Sequence, residues 1–377
     1  MINRIYDDLE NLLKPNNVLI LFGPRRVGKT TLIKGFLNRT KLQYKFDNGE
    51  NIDIQEIFSS RRLSLITDYI GENELIVIDE AQNIPYIGKA LKLIVDSFPG
   101  IKIIATGSSS FDLKGQIGEP LVGRKTTLTL FPLSAIELLT QYNNNHYDFK
   151  EHLNDFLVFG SYPSVITSKN SSMKIDILRE LVNSYLLKDI LSLDNIKDSK
   201  FIRNLLKLLA YQIGNEVSLN ELATQLNVNV KTIGRYLDLL EKTFIIYSLG
   251  GYSRNLRNEI TSKNKYFFFD NGIRNAIIDQ FNSIDLRNDI GGLWENYLMS
   301  ERMKKLSYRN IYGSSYFWRT YEKKEIDLIE ERDAILYGFE FKWSKSKNPK
   351  APKEWKDAYP NSKHQIINKE NFLDFIT

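Results

Sequence analysis

The 377-residue sequence contains no cysteine and only three histidines. The absence of cysteine excludes disulfide bonds, thiolate catalysis and zinc sites with cysteine ligands. The histidines, His146, His152 and His364, are scattered and show no metal-ligand spacing. We therefore expect any metal ion to be held by oxygen ligands.

The sequence also lacks long hydrophobic runs. The longest of them, such as VLILF and LIVID, are far too short to span a bilayer, and the first residues show no leader with a basic start and an apolar centre. These observations predict a cytoplasmic protein with no membrane partner. The formal net charge of +5 is small for this length and favours a polyanionic partner only weakly.

The order of β-rich and helical patterns predicts several domains in a chain of this length. Up to about residue 140, short β-rich runs alternate with helical patterns, which is typical of an α/β domain with a mostly parallel sheet. The pattern is helical from 148 to 215, and a capping box at Ser218 and Glu221 then opens two helices separated by the turn NVNV. Beyond roughly residue 260 a second α/β pattern follows.

The stretch GPRRVGKT, residues 23–30, fits the phosphate-binding motif G-x-x-x-x-G-K-[ST]. It follows an apolar strand and opens a helix, so backbone N–H groups and the helix N-terminus are placed to wrap phosphates. Lys29 is predicted to reach the terminal phosphates and Thr30 to coordinate Mg²⁺. The predicted ATP-binding residues are Gly23, Pro24, Arg25, Arg26, Val27, Gly28, Lys29, Thr30, Thr31 and, from the next motif, Asp79.

Three further segments predict the catalytic groups of an ATPase. In ELIVIDEAQ, a strand delivers Asp79 as a metal partner, with Glu80 beside it to orient a water molecule. In IIATGSSS, Thr106 or Ser108 is placed to sense the γ-phosphate, and a capping cluster before a loop is the alternative. Arg124 precedes a strand and is predicted to act as an arginine finger on a neighbouring subunit, with an ordinary surface arginine as the alternative.

The two helices joined by the turn NVNV predict a helix-turn-helix followed by a β-rich wing. Its second helix carries Lys231, Thr232, Arg235 and Tyr236. Its exposed basic residues would meet phosphates or base edges in a major groove of DNA. The neighbouring Asp238 dilutes the basic face, so a packing role for this helix is the alternative.

The stretch YGFEFKWSK, Tyr337–Lys345, places its aromatic residues on one face of a predicted strand and Glu340 with Lys342 on the other. Glu295 falls on the apolar side of a predicted helix, where a carboxylate needs a partner or a metal ion. With Asp327 on the preceding strand, this order resembles a PD-(D/E)XK nuclease centre. The resemblance implies a second Mg²⁺ or Mn²⁺ ion on Glu295, Asp327 and Glu340, with Lys342 activating water; an exposed strand face is the alternative.

The whole chain resembles prokaryotic ATPases of the AAA-type and signalling-NTPase superfamily whose C-terminal half is related to PD-(D/E)XK nucleases. The motifs that carry this resemblance are GPRRVGKTTL, VIDEAQ, TGSSS, LVGR, FPLS, FGSYPSV, YLLKDI, TIGRYLDLLE, YFFFDNGIRNA, LWENYL, EIDLI and FEFKWS. The resemblance implies that Asp79 and Glu80 are a Walker B pair. It also maps a nucleotide-touching glycine-x-proline turn to Gly160–Pro163, where this sequence has an extra residue.

These patterns predict an α/β protein with four domains. They are a P-loop ATPase core (1–147), a helical lid (148–215), a winged helix-turn-helix (216–260) and a restriction-endonuclease-like α/β domain (261–377). We predict an Mg²⁺-dependent ATPase that acts on DNA and self-associates as a homo-oligomer. The alternative is an ATP-driven switch that binds a protein partner and contains an inactive nuclease fold.

Overall fold

The computed structural model describes residues 2–107, 120–186, 199–253, 263–320, 322–344 and 351–377. Ser108, one of the two predicted γ-phosphate sensors, lies outside these residues. The chain divides into two compact units. The first comprises Met1–Pro132 with Lys242–Phe244, and the second comprises Leu133–Glu241 with Ile245–Thr377.

A five-stranded parallel sheet forms the centre of the first unit. Its strands are β1 (Asn17–Phe22), β2 (Tyr44–Asn48), β3 (Leu75–Asp79), β4 (Lys102–Gly107) and β5 (Lys125–Thr129), in the order β2-β3-β4-β1-β5. The inner strands are apolar and almost entirely buried, because a parallel sheet is covered on both faces. The predicted α/β fold with a parallel sheet is therefore confirmed.

Helices pack against this sheet through their apolar sides. The α-helices described in this unit are α1 (Lys29–Leu37), α2 (Ile52–Ser60), α3 (Leu63–Ile70) and α4 (Ile87–Ser97), with short 3₁₀ turns at Glu10–Leu12 and Ala81–Asn83. In the core, the rings of Phe58 and Tyr69 meet edge to face at 5.1 Å. Each large apolar side chain buried in this way contributes about 1.5–3 kcal/mol to folding.

The carboxyl ends of the parallel strands meet at one edge of the sheet. In the register, Phe22 of β1 lies beside Gly107 of β4 and Thr129 of β5, and Asn48 of β2 lies beside Asp79 of β3. The segments that follow β1 and β3 therefore leave the sheet at the same edge. In open α/β sheets, ligands bind at this edge, where the strand order reverses.

The second unit begins with a run of helices. These are α5 (Ala135–Gln141), α6 (His146–Glu151), α7 (Leu153–Phe159), α8 (Pro163–Ile166), α9 (Ser171–Glu180) and α10 (Ser199–Tyr211), with a π-helical segment at Leu181–Leu186. A capping box formed by Ser134 and Glu137 fixes the start of α5, and the side chain of Asn170 caps α9. These side chains satisfy backbone N–H groups that lack partners in the first turn of each helix.

Two helices joined by a short turn follow, together with a small antiparallel sheet. The helices are α11 (Leu219–Gln225) and α12 (Val230–Lys242), and the strands are β6 (Glu216–Val217), β7 (Ile246–Leu249) and β8 (Asn264–Phe268), in the order β6-β8-β7. The Ser218 hydroxyl accepts a hydrogen bond from the Glu221 amide at 3.4 Å. Of the capping box predicted at the start of α11, the hydrogen bond to the Ser218 hydroxyl is present.

The last part of the chain forms a four-stranded mixed sheet with helices. The helices are α13 (Asn271–Ile277), α14 (Ile290–Tyr308), α15 (Lys353–Ala358) and α16 (Phe372–Ile376), and the strands are β9 (Ser314–Arg319), β10 (Glu325–Arg332), β11 (Ile335–Phe341) and β12 (Lys363–Ile367). The strand order is β12-β11-β10-β9; β10 is antiparallel to β9 and β11, and β11 is parallel to β12.

The two faces of β11 differ as the alternation in YGFEFKWSK predicts. Phe339 and Phe341 are buried, with their rings 4.9 Å and 5.6 Å from the ring of Phe375. Glu340 is half-buried and Lys342 is exposed. One face of the strand is therefore part of the core, and the opposite face presents an acid and a base.

A buried carboxylate, Asp270, fixes the GSYP turn within the second unit. Its Oδ2 accepts a hydrogen bond from the Ser161 amide at 2.7 Å, and its Oδ1 accepts one from the Ile273 amide at the start of α13. Gly160 has a φ of +71°, and a Cβ atom there would lie 2.0 Å from Asp270 Oδ1. The glycine of this turn is required by the packing of Asp270 against it.

Candidate functional site

The glycine-rich loop between β1 and α1 has the backbone shape that a phosphate-binding loop needs. Gly28 adopts a φ of +97° and forms the N-cap of α1, and Arg26 has a φ of +62°. At Gly23, with a φ of +152°, a Cβ atom would lie 2.0 Å from the carbonyl oxygen of Leu130. Only glycine allows the backbone to approach this closely at the end of β1.

The other residues of the motif lie where the loop and the first helical turn place them. Pro24 and Val27 are buried, and Arg25 is half-buried. Arg26 and Thr31 are exposed.

Arg4, in the segment before β1, forms hydrogen bonds that stabilise the loop. Its guanidinium donates through Nη1 to the carbonyl oxygen of Val27 and through Nη2 to that of Phe131 at 2.7 Å. The side chain is buried. Sequence reasoning missed this residue, because a single arginine ahead of β1 belongs to no motif.

The side chain of Lys29 lies back across the loop. Its ammonium donates to the carbonyl oxygens of Gly23 and Pro24, each at 2.8 Å, and only 5% of the residue is exposed. A lysine held here lies within the loop that is predicted to wrap phosphates. Phosphate oxygens would offer it stronger, charged acceptors than these two carbonyl groups.

Two threonine hydroxyls hold the carboxylate of Asp79 at the end of β3. Thr30 Oγ1 donates to Asp79 Oδ2 at 2.7 Å, and Thr106 Oγ1 donates to Asp79 Oδ1. The Thr106 hydroxyl also accepts from the Glu80 amide at 3.0 Å. Thr106 is fully buried, so this geometry makes it a partner of Asp79, and direct sensing of a phosphate stays a prediction.

Glu80 adopts the left-handed conformation, with φ 50° and ψ 41°. Its Oε2 accepts a hydrogen bond from Gln82 Nε2 at 2.5 Å. Gly49 packs against its backbone, because a Cβ atom at Gly49 would lie 2.6 Å from the Glu80 carbonyl oxygen. Gln82 is a second residue that sequence reasoning missed, although it belongs to the quoted motif ELIVIDEAQ.

The ligand types at this edge fit an Mg²⁺ ion. The Thr30 hydroxyl and the Asp79 carboxylate are hard oxygen donors within 2.7 Å of each other, which is the ligand chemistry that Mg²⁺ prefers. They lie beside a loop in which the glycines leave room for phosphate groups. These residues would hold the ion together with phosphate oxygens of the nucleotide.

Arg124 lies at the opposite edge of the sheet from the glycine-rich loop. It immediately precedes β5, whose first residue, Lys125, lies beside Val18 at the start of β1. From Val18 to Phe22, which precedes the glycine-rich loop, β1 rises about 13 Å at 3.3 Å per residue. Arg124 pairs with Asp96, Nε to Oδ1 at 2.7 Å, and 43% of its side chain is exposed. It therefore does not act on phosphates in its own domain, and action on a second copy stays a prediction.

The residues predicted on the second helix of the helix-turn-helix have different surroundings. Lys231 and Arg235 are exposed on α12. Thr232 instead bonds to the side chain of Asn229, through its amide at 2.8 Å and its hydroxyl at 3.0 Å. The ring of Tyr236 lies 4.6 Å from the ring of Phe201. Thr232 and Tyr236 therefore have structural contacts, and of these four residues Lys231 and Arg235 are the exposed ones.

The predicted second metal centre is not assembled in the described part of the chain. Among those residues, no group of three or more histidine, aspartate or glutamate side chains lies close enough to hold an ion. Asp327 and Glu340 occupy neighbouring strands, and Asp327 Oδ2 accepts a hydrogen bond from the Phe341 amide at 2.6 Å. Glu340 instead binds Lys342, Oε1 to Nζ at 2.7 Å. The expectation of three carboxylates around one ion is therefore not supported by the described residues.

A buried lysine explains part of this difference. Lys265 of β8 is 1% exposed, and its ammonium forms ion pairs with Glu295 at 3.1 Å and with Glu325. Sequence reasoning missed both Lys265 and Glu325. Lys265 shares its strand face with Phe267 in NKYFFFD, so a buried position was detectable from the alternation.

Burial controls the ionisation of this group. It raises the pKa of Glu295 to about 8, although Lys265 acts in the opposite direction. Burial also raises the pKa of Asp327, again against the effect of Lys265. Burial lowers the pKa of Lys342, but the hydrogen bond and charge of Glu340 outweigh this, so the pKa of Lys342 is raised. Each carboxyl is therefore costly to ionise without a nearby cation.

Three family models match the chain in succession. Residues 15–139 match the family described as AAA domain. Residues 150–284 match Domain of unknown function (DUF8612), and residues 290–374 match Domain of unknown function (DUF4143). The finer boundaries predicted at 147, 215 and 260 stay predictions.

Similar proteins occur in several organisms. An uncharacterized protein of Haemophilus influenzae is 28% identical over 346 residues, covering 85% of this chain and 81% of that protein. One of Methanocaldococcus jannaschii is 26% identical over 366 residues, covering 90% and 78%. One of Mycobacterium tuberculosis is 26% identical over 329 residues, covering 86% and 70%.

Two solved structures show a weaker likeness. A Signal Transduction ATPase with Numerous Domains (STAND) protein with a tetratricopeptide repeat sensor, from Pyrococcus horikoshii, is 13% identical, with a TM-score of 0.30, and the match covers 81% of this chain and 46% of that one. A replication initiator DnaA bound to AMPPCP and single-stranded DNA is 15% identical, with a TM-score of 0.29, covering 63% and 86%. At these TM-scores neither likeness bears on function.

Four observations together define the class of the first unit. They are the parallel sheet, the glycine-rich loop, the aspartate at the end of β3 and the family match. Residues 15–139 form a P-loop ATPase domain of the AAA type. ATP and Mg²⁺ are the ligands that this class implies. No helix in the described ranges combines the length and hydrophobicity needed to cross a membrane.

Proposed function

We propose that this chain binds ATP with Mg²⁺, hydrolyses it, and acts as a nucleotide-dependent switch on a macromolecular partner. The observation that carries the proposal is the hydrogen-bonded chain from Thr30 through Asp79 to Thr106 at the carboxyl edge of the sheet. It holds a carboxylate in a fixed orientation beside a loop shaped for phosphates. Preorganised groups of this kind stabilise a transition state without reorganising during the reaction.

Each residue of the site has a distinct task in this proposal. Backbone N–H groups of the loop bind the phosphates, and Lys29 exchanges its two carbonyl acceptors for phosphate oxygens. Thr30 and Asp79 would hold Mg²⁺, which neutralises phosphate charge when bound. Glu80, held by Gln82, orients the attacking water and accepts its proton.

The test separates ATP binding from hydrolysis. Lys29→Ala should lose ATP binding, whereas Glu80→Gln should bind ATP and hydrolyse it very slowly, because Glu80 acts only on the attacking water. Binding is measured by titration calorimetry and turnover by phosphate release. Lys34→Ala, an exposed lysine on the same helix, and Glu72→Gln, an exposed glutamate of the same unit, are the matched controls. Wild-type turnover in Glu80→Gln would overturn the assignment of Glu80.

DNA is the partner that we propose for the switch. The support is the order of α10, β6, α11, α12, β7 and β8, which agrees with a helix-turn-helix followed by a β-rich wing. Lys231 and Arg235 face outward from α12, where a recognition helix presents its residues to a major groove.

Salt dependence tests contact with DNA through α12. Each phosphate contact releases counterions, so binding should weaken steeply with salt, and replacing Lys231 and Arg235 by alanine should reduce the slope of log K against log[salt] by about 2. Fluorescence anisotropy with labelled duplex DNA measures the slope. Alanine at Lys169 and Arg309, exposed elsewhere in the second unit, is the control. An unchanged slope in the Lys231/Arg235 variant would leave α12 a packing helix and favour a protein partner.

The C-terminal domain serves as a binding module in this proposal. The placement of Glu295 on a helix, Asp327 on β10 and Glu340 with Lys342 on β11 supports kinship with PD-(D/E)XK nucleases. The side-chain contacts of these groups support retention of the fold without cleavage, because Glu340 is bound by Lys342 and Glu295 by Lys265.

A further inference from the structure

Lys265 is the centre of an acidic cluster in the second unit. Its strand, β8, is paired on both sides, with Glu216 of β6 and Leu249 of β7 flanking the residue. Its ammonium binds Glu295 of α14 and Glu325 of β10, and lies 5.4 Å from the centre of the Phe317 ring. A lysine buried this deeply is stable only because carboxylates surround its charge.

Asp327 belongs to the same cluster. Burial raises the pKa of Asp327, and the nearby charge of Lys265 opposes this rise. Burial also raises the pKa of Glu295, Lys265 opposes the rise, and the charges of Asp327 and Glu325 add to it. Two of the three carboxylates assigned to a metal ion by resemblance to a nuclease, Glu295 and Asp327, therefore lie within the electrostatic reach of one protein ammonium.

Other protein cations balance the edges of the cluster. Arg319 of β9 lies near Glu325, Nε to Oε2 at 3.7 Å, and near Glu216, Nη1 to Oε1 at 3.3 Å. Lys342 binds Glu340 on the neighbouring strand. The cluster thus contains its own counter-charges.

The space beside Glu295 is also limited. Gly214, with a φ of +76°, packs its backbone against this carboxylate, and a Cβ atom at Gly214 would lie 2.6 Å from Glu295 Oε2. One oxygen of Glu295 therefore meets backbone, and the other binds Lys265. The two oxygens leave little room for the ordered shell of ligands and waters that Mg²⁺ requires.

We propose that the Lys265 ammonium is the resident cation of this cluster and occupies the place that the nuclease resemblance assigns to a divalent metal ion. The cation is covalently part of the chain, so the acids of α14 and β10 stay together in the absence of metal. The same contact joins β8 to α14 and β10. The residues do not fit a hydrolytic metal centre. The nuclease-like fold is then retained as a binding surface.

Metal titration of the full chain tests this inference. All measurements use an Asp79→Asn background without nucleotide, so that the P-loop site does not contribute. In that background, Mn²⁺ added up to millimolar concentration should leave the thermal midpoint unchanged and give no calorimetric binding signal. A binding signal that disappears on adding Asp327→Asn would overturn the inference, because it would show that the ion displaces Lys265.

Replacing Lys265 gives the variant in which Mn²⁺ binding is expected. Lys265→Met keeps an unbranched side chain of similar length but removes the charge, leaving the acids without their counter-ion. This variant should unfold at a lower temperature, and Mn²⁺ should raise its midpoint and bind at least tenfold more tightly than to the parent. A folded Lys265→Met chain that gains no Mn²⁺ affinity would overturn the inference.

Two further variants keep the test decisive if Lys265→Met fails to fold. Lys265→Arg retains the positive charge and should fold without gaining a response to Mn²⁺. Lys265→Met combined with Glu325→Gln removes one acid together with the lysine and should recover stability relative to Lys265→Met. A folded Lys265→Arg chain that gains Mn²⁺ affinity would show that the positive charge is not what keeps the metal ion out of the cluster.

Discussion

At the scale of single residues, both carboxylate oxygens of Asp79 are held by hydrogen bonds. Its two oxygens have different partners, Thr30 at Oδ2 and Thr106 at Oδ1. Its backbone carbonyl accepts a hydrogen bond from the Gly49 amide at 2.7 Å. Two hydroxyls therefore orient the side chain, and the bond from Gly49 fixes the backbone that carries it. A metal ion that binds there does not have to order this ligand first.

Gly160 gives a prediction at the same scale. Gly160→Ala should destabilise the second unit by more than about 2 kcal/mol, because alanine is strained at φ +71° and its Cβ would overlap the Asp270 carboxylate. Tryptophan fluorescence during urea unfolding measures the change. All four tryptophans belong to this unit: Trp294, Trp318, Trp343 and Trp355.

Gly234 provides the matched control for Gly160. It lies inside α12, and a Cβ atom there would meet nothing within 4 Å. Gly234→Ala should therefore stabilise the unit by roughly 0.5–1 kcal/mol through helix propensity. Equal effects of the two substitutions would show that the approach of Asp270 to Gly160 does not limit stability.

The residues of the proposed nucleotide site lie close together in the sequence or at the end of a recognisable strand, so sequence patterns suffice to propose them. Lys29 and Thr30 are adjacent in the chain, and the strand pattern of LIVID places Asp79 at the same sheet edge. Lys265 could not be assigned in this way. Its partners Glu295 and Glu325 are 30 and 60 residues away, and only tertiary packing decides which charges meet.

At the scale of elements, α14 combines burial with charged side chains. It is buried on nearly all sides and contains charged residues as well as apolar ones. Arg302 of α14 binds Glu330 of β10 through two hydrogen bonds, at 2.6 Å and 2.8 Å, and also donates to the carbonyl oxygen of Phe375 in α16. A single guanidinium therefore joins three elements.

Glu330 gives the prediction for this contact. Glu330→Gln should destabilise the second unit by about 3–5 kcal/mol, because it leaves the buried Arg302 charge without its counter-ion. Glu331→Gln, on the same strand but exposed, should change stability by less than about 0.5 kcal/mol. Tryptophan-detected urea unfolding compares the two variants, and similar midpoints would mean that the ion pair contributes nothing net.

The elements themselves could be predicted where a single periodicity governs them. The alternation in YGFEFKWSK correctly separated the buried Phe339 and Phe341 from Glu340 and Lys342. On α14, burial on all sides removes the amphipathic signal on which such predictions depend. The sequence therefore predicted that Glu295 lies on the buried side of a helix, but it did not predict that Lys265 is its partner.

At the scale of the whole molecule, the two units divide the proposed tasks. The first contains the ATPase domain, and the second contains the elements proposed to meet a partner. A switch requires that the state of the nucleotide alters binding elsewhere, and such coupling is reciprocal. A partner that binds the ATP-loaded chain more tightly must therefore also tighten ATP binding.

The position of Arg124 leads to a prediction about the assembly of several copies of the chain. Arg124 lies at the sheet edge opposite the glycine-rich loop, and its guanidinium forms an exposed ion pair with Asp96. Exposed pairs of this kind contribute about 0–1 kcal/mol, so the guanidinium is easily released.

We predict that ATP promotes self-association, which brings Arg124 to the nucleotide of a second copy. Arg124→Ala should then lower kcat on the order of 10³-fold with little effect on ATP binding, whereas Asp96→Asn should retain activity. Light scattering with and without ATP measures assembly. A chain that stays monomeric at high concentration with ATP, together with full activity of Arg124→Ala, would show that this arginine is an ordinary surface residue.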